Sequence, residues 1–182
     1  PSKSQSDIDS NFIKKNLDDK KNEEKIEPNV KPLDLASKTI YRMESICKKG
    51  FAGPGVKKTN QDNFFIYKNF LDSPDKIYLG VCDGHGMYGQ DISGYLVNNL
   101  PQNLNNALLK DDIKMLSSPK DFPQISNIIS LTFVQTNINL VNDDKVDSTF
   151  SGTTCSSLLF CPEKLISANV GDSRCVLGKF DG

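Results

Sequence analysis

One stretch constrains the fold of this chain more than any other. Ile77-Tyr78-Leu79-Gly80-Val81-Cys82 is an almost continuous apolar run of strand length, and it ends on Asp83-Gly84-His85-Gly86. A run this short and rich in β-formers suits a central strand covered on both faces. Such a strand needs partners on both edges. Phe64-Phe65-Ile66-Tyr67 reads as one, and three β-rich segments, Thr153 to Phe160, Leu165 to Val170 and Cys175 to Phe180, close the chain. Polar turns at Cys161 to Lys164 and Gly171-Asp172-Ser173 separate those three, a spacing that predicts an antiparallel meander. Upstream, Ile40, Arg42, Glu44 and Ile46 alternate with Tyr41, Met43, Ser45 and Cys47, which predicts a first strand.

Between the strands the period changes. Ile92, Leu96, Leu100, Leu104 and Leu108 recur in steps of four, one face of a helix, and Pro101 predicts a kink or a break into two helices there. Lys110 to Pro123 reads as a loop, and Ile125, Ile128, Ile129, Phe133, Thr136 and Leu140 form a second helical stripe. Strands, then helices, then strands point to an α+β fold and not to a doubly wound parallel sheet.

The 182 residues suffice for one ordinary domain with a tail. Residues 1–38 hold eight lysines and eight acidic residues against nine apolar ones, without a sustained period, and are expected to form a disordered extension. Phe12, Ile13 and Leu17 could make a short amphipathic turn within it. The domain is expected over 39–182. Twenty-two basic residues against 23 acidic ones give a net charge of -1, so no whole-molecule field would recruit nucleic acid. Arg42 and Arg174 are the only arginines, which makes bidentate phosphate clamps scarce. No apolar run approaches the roughly 18 residues of a membrane span. The chain opens on Pro1, so a native start with any targeting or lipid signal is expected to precede it. Its five cysteines, spread through apolar stretches with no Cys-x-x-Cys pair, are expected to be buried thiols in a reducing compartment, which predicts an intracellular protein, cytoplasmic or nuclear.

The strand end at Asp83 carries the chemistry. An aspartate there can offer a hard oxygen to a divalent cation, and Gly84 lets the backbone turn so that its carbonyl faces the same ion. His85, the only histidine, could protonate a leaving group beside the metal. The bland alternative is an Asp-Gly turn with a surface histidine. Gly84-His85-Gly86-Met87-Tyr88-Gly89 also satisfies the dinucleotide fingerprint G-x-G-x-x-G, but the second parallel strand that this motif needs is missing, since Pro101 to Asp112 continues a helix into a polar loop. Asp62, at the start of the Phe64 to Tyr67 strand, is placed to supply a second carboxylate, and Lys57 and Lys58 to attract an anionic substrate such as phosphate.

Four segments then form a recognisable series: K-K-T-N-Q-D at Lys57 to Asp62, V-C-D-G-H-G at Val81 to Gly86, S-G-T-T at Ser151 to Thr154 and A-N-V-G-D-S-R at Ala168 to Arg174. In order and approximate spacing the series resembles the type-2C metal-dependent protein phosphatases, the PPM family, over about residues 40 to 182. The resemblance implies a four-layer sandwich of two antiparallel β-sheets flanked by helices. It also implies hydrolysis of phosphoserine and phosphothreonine in phosphoprotein substrates at two Mg²⁺ or Mn²⁺ ions. In that picture Asp83 bridges both metals, Gly84 gives a carbonyl ligand, Asp62 binds or orients metal water, His85 is the general acid and Lys57 contacts the substrate phosphate.

The chain departs from the family at particular positions. Gln61 stands where animal members often have glutamate, and Thr149 where many have an aspartate, with Asp147 close by. The chain ends at Phe180-Asp181-Gly182, before the family's later aspartate motifs, so it is expected to be the N-terminal part of a catalytic domain, C-terminally incomplete, with the intact parent protein as the enzyme. One bridging carboxylate, one carbonyl and a second acid leave too few anionic ligands for two divalent ions, which predicts weak Mn²⁺ binding by this piece. The alternative is a catalytically inactive phosphatase-like binding module.

Overall fold

Residues 43–51, 53–55, 58–111, 113, 119–162 and 164–179 are described by the computed structural model. The expected extension over 1–38 and its Phe12, Ile13 and Leu17 turn lie outside them, as does Lys57.

The apolar run forms the strand its composition requires. β1 (Asn63–Lys68) and β2 (Ile77–Cys82) pair antiparallel from Asn63 opposite Cys82 to Lys68 opposite Ile77. Two short strands follow, β3 (Gly84–His85) and β4 (Gly152–Thr153), which pair with each other in a two-stranded sheet. β5 (Cys155–Cys161) and β6 (Lys164–Val170) complete the larger sheet in the order β1-β2-β5-β6. All four strand pairings are antiparallel. The architecture is therefore α+β with two antiparallel sheets, and a parallel βαβ unit, on which the dinucleotide reading depended, is absent among the described residues.

Both helical stripes fold as helices. α1 (Gly89–Lys110) buries Ile92, Leu96, Leu100, Leu104 and Leu108, and α2 (Phe122–Val141) buries Ile125, Ile128, Ile129 and Leu140. The predicted break at Pro101 does not occur. Losing one amide donor inside a helix costs about 3 kcal/mol, but each leucine buried along this face returns about 1.5–3 kcal/mol, and Pro101 itself is buried.

One face of the larger sheet packs on these helices. Phe65, Phe70, Tyr78, Leu104, Ile125 and Leu159 belong to a single buried cluster, in which the Tyr78 ring lies 5.0 Å from Phe65 and 5.3 Å from Phe70. Gly80 sits opposite Phe65, and a Cβ on it would fall 2.6 Å from that ring, so the glycine makes room for the aromatic. The buried Tyr78 hydroxyl donates to Ser157 Oγ at 3.1 Å, and Ser157 Oγ donates to Ala168 O at 3.1 Å, a polar link across β2, β5 and β6.

Three expectations fail. Met43–Cys47, the described part of the first strand, forms no ladder, and Ile46 is 78% exposed. Cys175–Lys179, the described part of the last β segment, likewise has no strand assignment, with Val176 and Leu177 exposed. In both cases β-propensity is present, but neither segment joins a ladder among the described residues. Cys82, Cys155 and Cys161 are buried as expected, whereas Cys47 and Cys175 are exposed on those two segments outside the sheets.

The core predicts the cost of truncation. Leu104 is fully buried, so Leu104→Ala should lower unfolding free energy by about 2–5 kcal/mol, read from the urea midpoint; a loss under about 1 kcal/mol would contradict this packing.

Candidate active site

The site begins where β2 runs out. Asp83 lies one residue past the buried Cys82, and its main chain is held by Thr154 at both polar groups. Its N–H donates to Thr154 Oγ1 at 3.0 Å, and the Thr154 N–H donates to its carbonyl at 2.9 Å. Thr154 Oγ1 also shares a 2.5 Å hydrogen bond with Ser173 Oγ.

Next along the chain, Gly84 donates its N–H to Gln61 O at 3.2 Å and pairs with Thr153. A Cβ on Gly84 would meet Gly89 O and come within 2.5 Å of Gln61 O, so only glycine fits. Gly86 has φ +84°, and a Cβ there would lie 2.7 Å from Ser151 Cα. The glycines that mimic a dinucleotide fingerprint serve instead to bring the loop against residues 61 and 150–151. Gln61 ties this loop from the other side: its Nε2 donates to Gly86 O at 2.6 Å and to Gln90 Oε1 at 3.2 Å, while its carbonyl accepts from Ser93 Oγ at 2.6 Å. An ionised glutamate at this position has no hydrogen to give those two acceptors.

His85 pairs with Gly152, and a Cβ on that glycine would come within 2.7 Å of His85 Nε2, so the imidazole lies directly over the glycine. Ser151 Oγ accepts the Tyr88 N–H at 3.0 Å. Asp147 accepts the Thr149 N–H at 3.0 Å, and that hydrogen bond lowers its pKa. Lys57 is not among the described residues; its neighbour Lys58 is charge-coupled to Asp62.

Asp62 and Asp83 adjoin. The Asp62 pKa is raised above its ordinary 3.8, first by partial shielding from water, then by the negative charge of Asp83 and a hydrogen bond with it, while Lys58 opposes the shift. A carboxyl that holds its proton more tightly when folded makes the metal-free fold lose stability as pH rises from 3.8 through the raised value, and the penalty persists above it. A divalent cation is the group that relieves two neighbouring carboxylates in this way, and their hard oxygens suit Mg²⁺ or Mn²⁺. The residues present fit such an ion in kind. In number they are few: among the described residues no group of three or more His, Cys, Asp or Glu side chains is gathered to hold a metal.

Sequence reasoning proposed Asp62, Asp83, Gly84, His85 and Lys57; the structure brings the first four to one end of the sheet, and Lys57 lies outside the described residues. It did not identify the parts of Thr154, Ser173 and Ser93, or the donor role of Gln61. Ser-Gly-Thr-Thr and Gly-Asp-Ser-Arg also pass as a strand start and a hairpin turn, so the only available signal was their recurrence in the family series.

Comparison with known proteins agrees with the geometry. The family model of protein phosphatase 2C matches residues 48–182. The probable protein phosphatase 2C 65 of Arabidopsis thaliana is 34% identical over 133 residues, covering 68% of this chain and 35% of that protein. The probable protein phosphatase 2C 35 of the same plant is 29% identical over 136 residues, covering 75% and 36%. The probable protein phosphatase 2C 38 of Oryza sativa subsp. japonica is 29% identical over 159 residues, covering 70% and 35%. The chain thus spans about a third of the length of these curated relatives.

The coupling of the two carboxylates is directly measurable. Asp83→Asn should bring the Asp62 pKa down toward 3.8 in a carboxyl-carbon NMR titration of the metal-free chain; an unmoved Asp62 titration would mean that the two groups do not face each other.

Proposed function

This chain belongs to the protein phosphatase 2C family, and from that premise we propose that the protein hydrolyses phosphoserine and phosphothreonine in phosphoproteins with a pair of Mg²⁺ or Mn²⁺ ions. The observation that carries the reading is the adjoining pair Asp62 and Asp83 at the end of a buried strand, with His85 two residues on. Asp83 and Asp62 would hold the ions by their carboxylate oxygens, and Gly84 by its carbonyl. When bound, the ions supply charge neutralisation for the phosphate and a water of lowered pKa.

The remaining work falls to the chain. A water oxygen bonds to phosphorus as the bond from phosphorus to the ester oxygen breaks; His85 gives the departing serine or threonine oxygen its proton, and the proton that the attacking water releases to solvent restores the one His85 gave. Lys57 and Lys58 lie before Asp62 in sequence, where their charge would draw the phosphate toward the carboxylates. The free Cys82 and Cys155, buried side by side in one cluster, support placement in a reducing, intracellular compartment. Among the described residues no helix is long and apolar enough to cross a membrane.

In the full-length protein, Asp83→Ala should reduce Mn²⁺-dependent release of phosphate from a phosphothreonine peptide by about 100-fold or more while circular dichroism is unchanged. Equal turnover in that variant would overturn the proposed site. A wild-type protein that binds the phosphopeptide without releasing phosphate would instead favour a catalytically silent binding module.

A further inference from the structure

The Gly171-Asp172-Ser173 turn has no carboxylate, carbonyl or proton role in the reaction proposed above, yet it is built against Thr154. Two contacts set that residue. A Cβ added at Gly171, where φ is +93°, would lie 2.7 Å from Thr154 Cγ2 and 2.9 Å from its Cβ, so the bare glycine seats the methyl face of the threonine. On the other branch, Ser173 Oγ lies 2.5 Å from Thr154 Oγ1. A β-branched side chain has few χ1 choices, and fixing both branches leaves one.

That rotamer sends Thr154 Oγ1 to the Asp83 N–H at 3.0 Å. Thr154 Oγ1 accepts from the Asp83 N–H, and in its bond with Ser173 Oγ either hydroxyl can donate, so the hydrogen bonds run from Ser173 through Thr154 to the backbone of Asp83. The Thr154 N–H closes a second link on the Asp83 carbonyl at 2.9 Å. Asp83 is exposed, and besides the hydrogen bond of its side chain with Asp62, both polar groups of its backbone are held by Thr154.

We propose that Thr154 is the positioning residue for Asp83, and that the Gly171–Ser173 turn acts on the site by locking the Thr154 rotamer. This rests on the reading of Asp83 as a cation ligand. The turn thereby couples the β6 end of the sheet to the carboxylate across two strands. Partners that orient a metal ligand typically influence affinity by about 10–100-fold, without touching the ion.

Three variants of the 182-residue chain test this: Thr154→Val, which keeps the shape and removes the hydroxyl; Thr154→Ser, which keeps the hydroxyl; and Ser173→Ala, which removes only the outer link. Amide hydrogen exchange at Asp83 without metal, and the Mn²⁺ concentration that half-broadens the Asp83 amide signal, are read by NMR. Thr154→Val should speed Asp83 exchange and raise that Mn²⁺ concentration by about 10-fold, Thr154→Ser should remain within about 3-fold of wild type, and Ser173→Ala should fall between them. Thr154→Val with wild-type exchange and wild-type Mn²⁺ response would overturn the positioning role. If the Mn²⁺ response follows this order while the full-length wild type releases no phosphate from a phosphothreonine peptide, the positioning role is supported and the proposed reaction is not.

Discussion

The antiparallel register between β2 and β5 is the constraint on which the site depends. Tyr78 faces Leu159 and Val81 faces Ser156, and extending that register past the end of β2 sets Asp83 against Thr154. Side chains alternate across a sheet, so a slip of one residue would turn Tyr78, Cys82 and Leu159 away from the helices and carry Asp83 past its backbone anchor, Thr154. The core therefore enforces the register, and the register places the acid. Tyr78 contributes twice, through ring packing with Phe65 and Phe70 and through its hydroxyl on Ser157.

From that fixed point the loops are drawn in by backbone approach. Gly84, Gly86 and Gly152 each stand where a methyl group would collide with main chain or with the His85 ring, so the segments 61–63, 84–90 and 150–154 can come together without intervening side chains. Gln61 and Ser93 then satisfy the polar groups exposed at the joint, linking the start of β1 to the start of α1. Asp62 is carried along by this joint to lie beside Asp83, where partial shielding from water, and then the charge of Asp83 and a hydrogen bond with it, make its carboxyl hold its proton more tightly.

Much of this was legible in the sequence because it follows from local pattern. The Ile77 to Cys82 run, the four-residue steps of α1 and the stripe of α2 depend on side-chain period alone, and they folded as read. Asp83 and Gly84 were legible as a strand end bearing an acid and a flexible neighbour. What failed depended on context. Pro101 breaks an isolated helix, but here its helix is pinned by buried leucines; Met43–Cys47 and Cys175–Lys179 have strand-like sequences that join no sheet among the described residues. The parts of Thr154 and Ser173 were hidden for a related reason: their bonds join residues 71 and 19 positions apart, and only the strand register brings them within reach.

The central claim is that Asp62 and Asp83 form one cation-binding end of the sheet. Crystals of the protein grown with Mn²⁺ test it most directly, by anomalous scattering at the manganese edge. The account predicts an anomalous peak within coordination distance, about 2.0–2.6 Å, of carboxylate oxygens of Asp83 and close to Asp62. Manganese bound only elsewhere, with Asp83 making no contact to it, would contradict the account.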